Sequence, residues 1–218
     1  MPEKKGKLIL FEGVEACGKS TQRNWAHDYF AFIKGYDCIK TREPGTDEVS
    51  EGIRNLLLNP KYQGKVLPET ELFLFEGSRA QFSNNILKPE LEKGKIIFCD
   101  RFFYSTIAYQ GFGRKLKDKK MIGLDTIDDL NHIASQGITP DLTIIYDLSF
   151  EEMSKRMKKQ ERKLDRIERE KMEFHERVKE GYLFVGNHYP NVYVLDGTKS
   201  LGELHEETIQ IIEEELGI

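Results

Sequence analysis

Cysteine is scarce in this sequence, and the spacing of its cysteines matches no known site. The three cysteines, Cys17, Cys38 and Cys99, lie far apart, and none belongs to a C-x-x-C pair. Zinc sites and dithiol redox motifs need such pairs, and a disulfide framework needs an even set of cysteines. These structures are therefore not expected, and a reducing, cytoplasmic setting is.

Long hydrophobic runs are also missing. The first apolar run, Leu8 to Phe11, follows a polar and basic start and ends at Glu12, so it is too short for a signal peptide. No other run is long enough to span a membrane. The net charge of -4 gives no general attraction to nucleic acid or to a membrane surface. Any binding of phosphate must then be local.

Short apolar runs alternate with segments of helical period. The runs that have the length of buried parallel strands are Leu8–Phe11, Asp37–Thr41, Ile96–Cys99, Leu142–Tyr146 and Val192–Leu195. Helical spacing of apolar residues is found in residues 18–33, 69–93, 126–136 and 201–216. This alternation predicts an α/β protein with a doubly wound sheet, folded as one domain over residues 1–218.

A glycine-rich loop follows the first predicted strand. The segment G-V-E-A-C-G-K-S, Gly13 to Ser20, matches the pattern G-x-x-x-x-G-K-[ST] at every fixed position. Backbone N–H groups of such a loop surround phosphate oxygens, while Lys19 would reach the β- and γ-phosphates of ATP and Ser20 would bind Mg²⁺. The predicted ATP-binding residues are Gly13, Val14, Glu15, Ala16, Cys17, Gly18, Lys19, Ser20 and Thr21.

A second candidate site is Asp100-Arg101, at the end of the third predicted strand. Open α/β sheets hold their ligands beside the carboxyl ends of the strands. There Asp100 would organise the ligands of magnesium, and the guanidinium of Arg101 would bind phosphate. An ordinary ion pair at the end of a strand is the alternative interpretation.

Taken together, these residues resemble the thymidylate kinase family, and the resemblance covers nearly the whole chain. Its motifs are the P-loop, T-R-E-P-G (Thr41 to Gly45), L-F-x-x-x-R-A-Q (Leu74 to Gln81), D-R-F-x-x-S-x-x-A-Y-Q (Asp100 to Gln110) and L-D-R-I-E (Leu164 to Glu168). The resemblance implies a five-stranded parallel sheet flanked by helices, of the P-loop NTPase type. It also implies a homodimer that transfers the γ-phosphoryl group of ATP to dTMP with Mg²⁺.

The same resemblance implies a set of acceptor-binding residues. Phe75 would stack on thymine, unless it belongs to the core, and Arg79 would donate to thymine O4 from one helical turn away. Arg42 and Arg101 would bind the acceptor phosphate. Near the sugar and base the resemblance places Glu15, Ser105, Thr106 and Tyr109. One departure is that Thr46 directly follows Gly45 where the family commonly has a second glycine, which predicts a shorter loop beyond Pro44.

A highly charged segment, residues 154–167, is predicted to be a mobile lid. The P-loop itself carries no basic residue between Gly13 and Gly18, so the lid must supply the additional positive charge. Arg162 and Arg166 would lie one helical turn apart and face the transferred phosphoryl group. Together with Lys19 and Arg101 they form the predicted catalytic set. A solvated helix with internal salt bridges is the alternative.

Two questions stay open at this level. The acceptor is expected to be dTMP, but dUMP, a deoxynucleoside or another monophosphate would suit the same fold, and a regulatory P-loop NTPase is a more distant alternative. Cys17, next to Gly18 and Lys19, is expected to have a lowered thiol pKa because helix N–H groups and an ammonium stabilise a thiolate. A small, buried and unreactive side chain is the other possibility for Cys17.

Overall fold

The computed structural model describes residues 6–218, so residues 1–5 of the expected domain lie outside the described part. In residues 6–218 a single sheet contains five parallel strands in the order β2-β3-β1-β4-β5. The strands are β1 (Lys7–Gly13), β2 (Cys38–Arg42), β3 (Ile96–Asp100), β4 (Leu142–Asp147) and β5 (Val192–Asp196). The predicted doubly wound sheet is confirmed.

The strands form where short apolar runs can be buried from both sides. Every residue of β3 is buried, and in β1 the only partly exposed residue is Lys7. The edge strands β2 and β5 are half-buried, so their apolar pattern is weaker. Each predicted run lies within or one residue outside the observed strand, because continuous apolar runs are typical of parallel strands covered by helices.

Helices connect the strands and cover the sheet. Their bounds are α1 (Lys19–Asp28), α2 (Glu48–Leu58), α3 (Pro68–Phe82), α4 (Lys88–Glu92), α5 (Phe103–Thr106), α6 (Leu124–Ala134), α7 (Phe150–Lys159), α8 (Met172–His188) and α9 (Leu201–Leu216). π-Helical turns extend α1 through Tyr29–Ile33, join α3 to α4 through Ser83–Leu87, and extend α5 through Ile107–Gly113. Short 3₁₀ turns occupy Pro60–Tyr62 and Leu116–Asp118. Within residues 6–218, no helix is both long and apolar enough to cross a membrane.

Several helices, α2, α5 and α8 among them, had no counterpart among the predicted helical segments. α2 begins after Asp47, whose side chain accepts hydrogen bonds from the backbone N–H groups of Val49 and Ser50. α8 packs closely against the turn Ile107–Gly113, and Gly181 makes this possible because a Cβ atom there would lie 2.6 Å from the Cα of Ala108. α2 packs against α3, and α8 packs against β4 and β5.

The strand register brings the two candidate loops together. Phe11 of β1 pairs with Asp100 of β3, so the glycine-rich loop and Arg101 begin at adjacent points of the sheet. The chain leaves β1 toward β2 on one side and leaves β3 toward β4 on the other. Strands whose connections diverge in this way open a crevice between their carboxyl ends, which is the usual ligand site of doubly wound sheets.

Candidate active site

The glycine-rich loop curls around the start of α1. Gly13 has φ of 133°, and a Cβ atom at this position would lie 2.5 Å from the carbonyl oxygen of Tyr146, so only glycine fits. Gly18, also at positive φ, directly precedes the first residue of α1. The ammonium of Lys19 is turned back over the loop and donates to the carbonyl oxygen of Val14 at 3.1 Å. Loop and helix end together form the geometry that binds polyphosphates.

Ser20 and Asp100 meet at the base of this loop. The hydroxyl of Ser20 donates a hydrogen bond to Oδ2 of Asp100, although the two residues are 80 positions apart. Among residues 6–218 no group of three or more Asp, Glu, His or Cys side chains could enclose a metal ion. Mg²⁺ does not need such a group, since it is usually held by one or two protein oxygens, waters and substrate phosphates. The Ser20 and Asp100 oxygens therefore fit a magnesium ion that arrives with ATP.

Arg101 occupies the centre of a network of oxygen acceptors. Its Nη1 donates to the hydroxyls of Ser105 (3.2 Å) and Tyr182 (2.6 Å), and its Nη2 donates to Tyr109 Oη (3.0 Å) and to Glu15 Oε1 (3.2 Å). Burial alone would raise the pKa of Glu15, but Arg101 and Lys19 outweigh burial and hold that pKa below its ordinary value. Glu15 is thus an ionised carboxylate at neutral pH.

One cavity of about 860 Å³ joins the glycine-rich loop to this network. That volume is within the range of sites for organic ligands. At one end the wall contains Glu15, Ala16, Gly18, Lys19, Ser20, Thr21, Asp100, Lys199, Ser200 and Leu201; at the other it contains Arg42, Glu43, Pro44, Arg54, Phe75, Arg79, Arg101, Ser105, Thr106, Tyr109 and Gln110. Gly13, Val14 and Cys17 lie behind the wall. The glycine-rich loop and the network around Arg101 therefore line one continuous space.

Arg79 lies at the far end of the cavity, almost completely buried. Its Nη1 donates to Glu76 (2.7 Å) and to Asn131 (2.6 Å), and its Nε donates to Glu43 (3.2 Å). Nη2 is 2.8 Å from Glu43 Oε1 but is not aligned for a hydrogen bond with any described residue. Burial raises the pKa of Glu43 to about 7 even though Arg79 opposes the rise. Arg79 is thus held between the buried carboxylates of Glu43 and Glu76 at the wall of the cavity.

The remaining acceptor candidates surround Arg79 and Arg101. Phe75 is half-buried and lines the cavity, and Thr106 donates to Glu76 at 3.1 Å. At the opposite wall Arg42 is 46% exposed and pairs with Glu51. Arg54, which sequence reasoning missed, also lines the cavity, and burial followed by the charge of Arg42 lowers its pKa. Two cationic side chains, Arg42 and Arg54, therefore stand near the approach to Arg101.

The charged segment, residues 154–167, lines one side of the cavity, but only its first part is helical. α7 ends at Lys159, and residues 160–171 form a loop with a turn at residues 166–169 rather than the expected helix. Arg162 lines the cavity with Arg156 and Lys159, and it forms an ion pair with Glu168. The side chain of Asp165 caps the next turn by accepting from the backbone N–H groups of Ile167 and Glu168. Charge from this segment thus does face the site.

Comparison with known proteins identifies the family. The family model of thymidylate kinase matches residues 11–208. The chain belongs to the thymidylate kinase family. Thymidylate kinase of Thermoanaerobacter sp. (strain X514) is 38% identical over 213 residues, covering 97% of this chain and 100% of that protein. The one of Nostoc punctiforme is 40% identical over 211 residues, covering 97% and 95%.

Solved structures agree with this assignment. The crystal structure of thymidylate kinase from Ehrlichia chaffeensis superimposes with a TM-score of 0.75 at 30% sequence identity, and the match covers 96% of this chain and 99% of that one. The five-stranded parallel sheet of the P-loop NTPase type is therefore a family property, as the sequence motifs predicted.

The expected place of Arg166 beside the transferred phosphoryl group is wrong. Arg166 does not line the cavity and is only 2% exposed; its guanidinium binds Glu71 at 2.6 Å and the carbonyl oxygen of Leu57 at 2.6 Å. The prediction assumed a helix that would place Arg162 and Arg166 on one face. Because the helix ends at Lys159, the turn at Asp165 sends Arg166 inward while Arg162 stays at the cavity.

The expectation of a stabilised thiolate at Cys17 is wrong as well. The side chain of Cys17 is fully buried, and its sulfur packs behind Gly13. Burial raises the pKa of the thiol, and the neighbouring Lys19 only partly offsets this effect. The sequence position next to a helix N-terminus was correctly read, but the side chain points into the core rather than toward the phosphate site.

Several residues around the site were not singled out from the sequence. Glu43 and Gln110 stand inside recognised motifs, T-R-E-P-G and A-Y-Q, so the signal was present but unused. Glu12 follows the first apolar run directly, and a carboxylate at that point of a buried strand was a usable sign. Tyr182 belongs to α8, which was not predicted, so no local pattern placed it near Arg101.

Proposed function

We propose that the protein transfers the γ-phosphoryl group of ATP to dTMP, which yields dTDP and ADP. The observation that carries this proposal is the continuous cavity: the glycine-rich loop with Lys19 and Ser20 forms one end, and Phe75 and Arg79 form the other. A switch GTPase or simple ATPase needs only the first end. Membership of the thymidylate kinase family supports dTMP as the acceptor.

At the donor end, backbone N–H groups of residues 13–21 and the start of α1 bind the phosphates of ATP. In the structure Lys19 donates to the carbonyl oxygen of Val14. When ATP binds, Lys19 exchanges this carbonyl for the β- and γ-phosphates. Ser20 and Asp100 would hold a magnesium ion, which would supply neutralisation of phosphate charge.

At the acceptor end, Phe75 stacks on the thymine ring, and Nη2 of Arg79 donates to its O4. Thr106 lines the same region of the cavity. Glu15 accepts a hydrogen bond from the sugar, while Tyr109, held by its hydroxyl against Glu15 at 2.6 Å, packs against the 2′ position. Arg42 and Arg101 bind the monophosphate, with Ser105 fixing Arg101. These cations offset the repulsion between two approaching phosphates.

The transfer is a direct in-line displacement. An oxygen of the acceptor phosphate attacks the γ-phosphorus, the bond to the β,γ-bridging oxygen breaks, and ADP leaves. No general base is needed because the attacking phosphate is already anionic at neutral pH. Lys19, Arg101 and Arg162 stabilise the charge of the transition state, so catalysis rests on positioning and electrostatics.

Residues 154–167 act as a lid within a single folded domain, with residues 160–164 as the part that moves. Arg162 exchanges its partner Glu168, which also lines the cavity, for the transferred phosphoryl group when the lid closes. Closure excludes water and thereby limits hydrolysis of ATP. Arg166 remains clamped to Glu71 and fixes the base of the lid.

Homodimerisation and a cytoplasmic location complete the proposal. Exposed apolar side chains on α3 and α6, Phe73 at 59% and Ile133 at 71% exposure, support an interface between two copies. The three cysteines are free thiols, which supports a reducing compartment.

An acceptor panel tests the proposal. The purified protein is incubated with ATP and Mg²⁺ and one of dTMP, dUMP, dCMP, UMP or thymidine, and ADP release and the phosphorylated product are measured. We expect dTMP to give the highest kcat/KM, with dTDP as the product. Equal ADP release with and without an acceptor would instead indicate an ATPase.

A further inference from the structure

Tyr182 of α8 points its hydroxyl at three polar groups of the site. The ring is 2% exposed, and the hydroxyl oxygen lies 2.9 Å from Glu12 Oε2, 2.6 Å from Arg101 Nη1 and 2.9 Å from Ser105 Oγ. A phenol has one proton to donate and lone pairs to accept with. The proton goes to the carboxylate of Glu12, and the oxygen accepts from Arg101.

Ser105 makes the same pair of contacts in parallel. Its hydroxyl donates to Glu12 Oε2 at 2.7 Å and accepts from Arg101 Nη1 at 3.2 Å. Each of the two Nη1 hydrogens of Arg101 thus has a hydroxyl oxygen as acceptor, and each of the two hydroxyl protons has Glu12 Oε2 as acceptor. Burial raises the pKa of Glu12, although Arg101 opposes the rise. Glu12 is 3.9 Å from Arg101 Nη1, so the two hydroxyls form the hydrogen-bonded link between them.

Glu12 is itself fixed and isolated from solvent. It is fully buried at the end of β1, and its Oε1 accepts from the backbone N–H of Phe102 at 2.8 Å. Arg101 has φ of 69°, a left-handed conformation that costs a non-glycine residue about 1 kcal/mol. The buried carboxyl group of Glu12 and the strained backbone of Arg101 lie at adjacent strand ends. Together they indicate that the local structure holds Arg101 in one arrangement.

The two sides of the guanidinium differ in their surroundings. Nη1 faces Tyr182 and Glu12, which do not line the cavity, and Ser105, which does, whereas both Nη2 partners, Glu15 and Tyr109, line it. A ligand in the cavity can displace the Nη2 partners but cannot reach Tyr182. The Nη1 side is therefore a permanent anchor, and the Nη2 side is the part that can turn to a phosphate.

We propose that Tyr182 is a positioning residue for phosphoryl transfer: its hydroxyl, oriented by Glu12, anchors Nη1 of Arg101 so that the rest of the guanidinium is aimed at the acceptor phosphate. Tyr182 touches no substrate. This inference rests on the proposed kinase reaction, and it adds α8, far away in the sequence, to the machinery that determines the rate.

The test is Tyr182→Phe, which keeps the ring and removes the hydroxyl. Hydrogen bonds to charged groups contribute about 1.5 to 3 kcal/mol, so kcat should fall roughly 10- to 100-fold. The KM for ATP should stay within about twofold, since Lys19 and the glycine-rich loop are untouched. Tyr146→Phe is the matched control: its hydroxyl is equally buried and bonds Thr208 at 2.7 Å, but in the core, and kcat should not change.

A double-mutant cycle with Arg101→Ala separates positioning from a structural role. If Tyr182 acts through Arg101, adding Tyr182→Phe to Arg101→Ala should lower kcat by less than about twofold. Additive losses of kcat in the double variant would overturn the inference. So would a Tyr182→Phe variant whose melting temperature falls while its kcat stays unchanged. Should Tyr182→Phe fail to fold, Glu12→Gln tests the same anchor and should show the same fall in kcat. Absence of dTDP from the unmodified protein would instead refute the proposed reaction.

Discussion

Arg166 places its Nη2 2.6 Å from Oε2 of Glu71, and both side chains are almost completely buried, at 2% and 1% exposure. Glu71 also accepts from Arg114 at 2.9 Å and from Gln110 at 2.8 Å. Burial would raise the pKa of Glu71, but Arg114 and Arg166 outweigh it and hold the pKa below the ordinary value. Arg166 thus connects the lid segment to α3 through a buried ionic network.

Arg166→Ala should therefore lower mainly the stability of the protein, and Arg162→Ala should lower mainly kcat. Removing one partner of a buried ion pair leaves an uncompensated charge, so Arg166→Ala should lower the free energy of unfolding by about 3 to 5 kcal/mol. Arg162 is 44% exposed, so its loss should cost less than about 1 kcal/mol. The kcat of Arg162→Ala should nevertheless fall, with little change in the KM for ATP or for dTMP.

Urea denaturation and steady-state kinetics of both variants check this prediction. The reverse pattern, with Arg162→Ala unstable and Arg166→Ala stable but slow, would restore Arg166 to the catalytic set.

Arg79→Lys should weaken binding of the acceptor without affecting the donor. A lysine keeps the positive charge between Glu43 and Glu76, but its single nitrogen cannot bond both carboxylates and a ligand as a planar guanidinium can. Loss of a charge-assisted bond to thymine O4 should raise the KM for dTMP about 10- to 100-fold and leave the KM for ATP unchanged. An unchanged KM for dTMP in a folded variant would remove Arg79 from base recognition.

Tyr109 should control the choice between deoxyribose and ribose through its ring. Tyr109→Ala removes the surface that would collide with a 2′-hydroxyl, so the ratio of dUMP to UMP turnover should fall. Tyr109→Phe keeps the ring and loses only the hydrogen bonds to Glu15 and Arg101, so it should retain the ratio while lowering kcat/KM. If the two variants show the same ratio as the parent protein, the ring does not contact the sugar.

Cys17 should be unreactive in the native protein. Burial raises the pKa of both thiols, that of Cys38 to about 11. Cys17 is fully buried, however, whereas Cys38 is only half-buried and open to a reagent. With iodoacetamide at pH 7.5, peptide mapping should find Cys17 modified at least about tenfold more slowly than Cys38, and rapidly only after denaturation. Fast modification of Cys17 that ATP and Mg²⁺ suppress would contradict the buried placement.

The sheet could be predicted from the sequence because parallel strands carry their signal locally. Runs such as Ile96–Cys99 are apolar throughout, and the glycine-rich loop shows where the first strand ends. Ser20 and Asp100 were each expected near magnesium from their places beside strand ends, and the structure joins them by a hydrogen bond.

The lid and the rear of the site could not be predicted in the same way. Arg162 and Arg166 look equivalent in the sequence, and only Glu71, 95 positions away from Arg166, decides that one of them turns inward. α8 has apolar residues at Phe174, Val178, Tyr182 and Val185, which is a helical spacing. The many charged residues between them made this pattern hard to recognise in the sequence. Contacts that depend on tertiary packing leave little local trace.

The stereochemistry of transfer tests the central claim, that ATP and dTMP meet in one cavity and exchange the phosphoryl group directly. ATP made chiral at the γ-phosphorus with an isotopically labelled phosphorothioate is reacted with dTMP, and the configuration of the product is determined. A single in-line displacement predicts thiophosphorylated dTMP with inverted configuration. Retention would require an intermediate phosphorylated protein and would contradict the account.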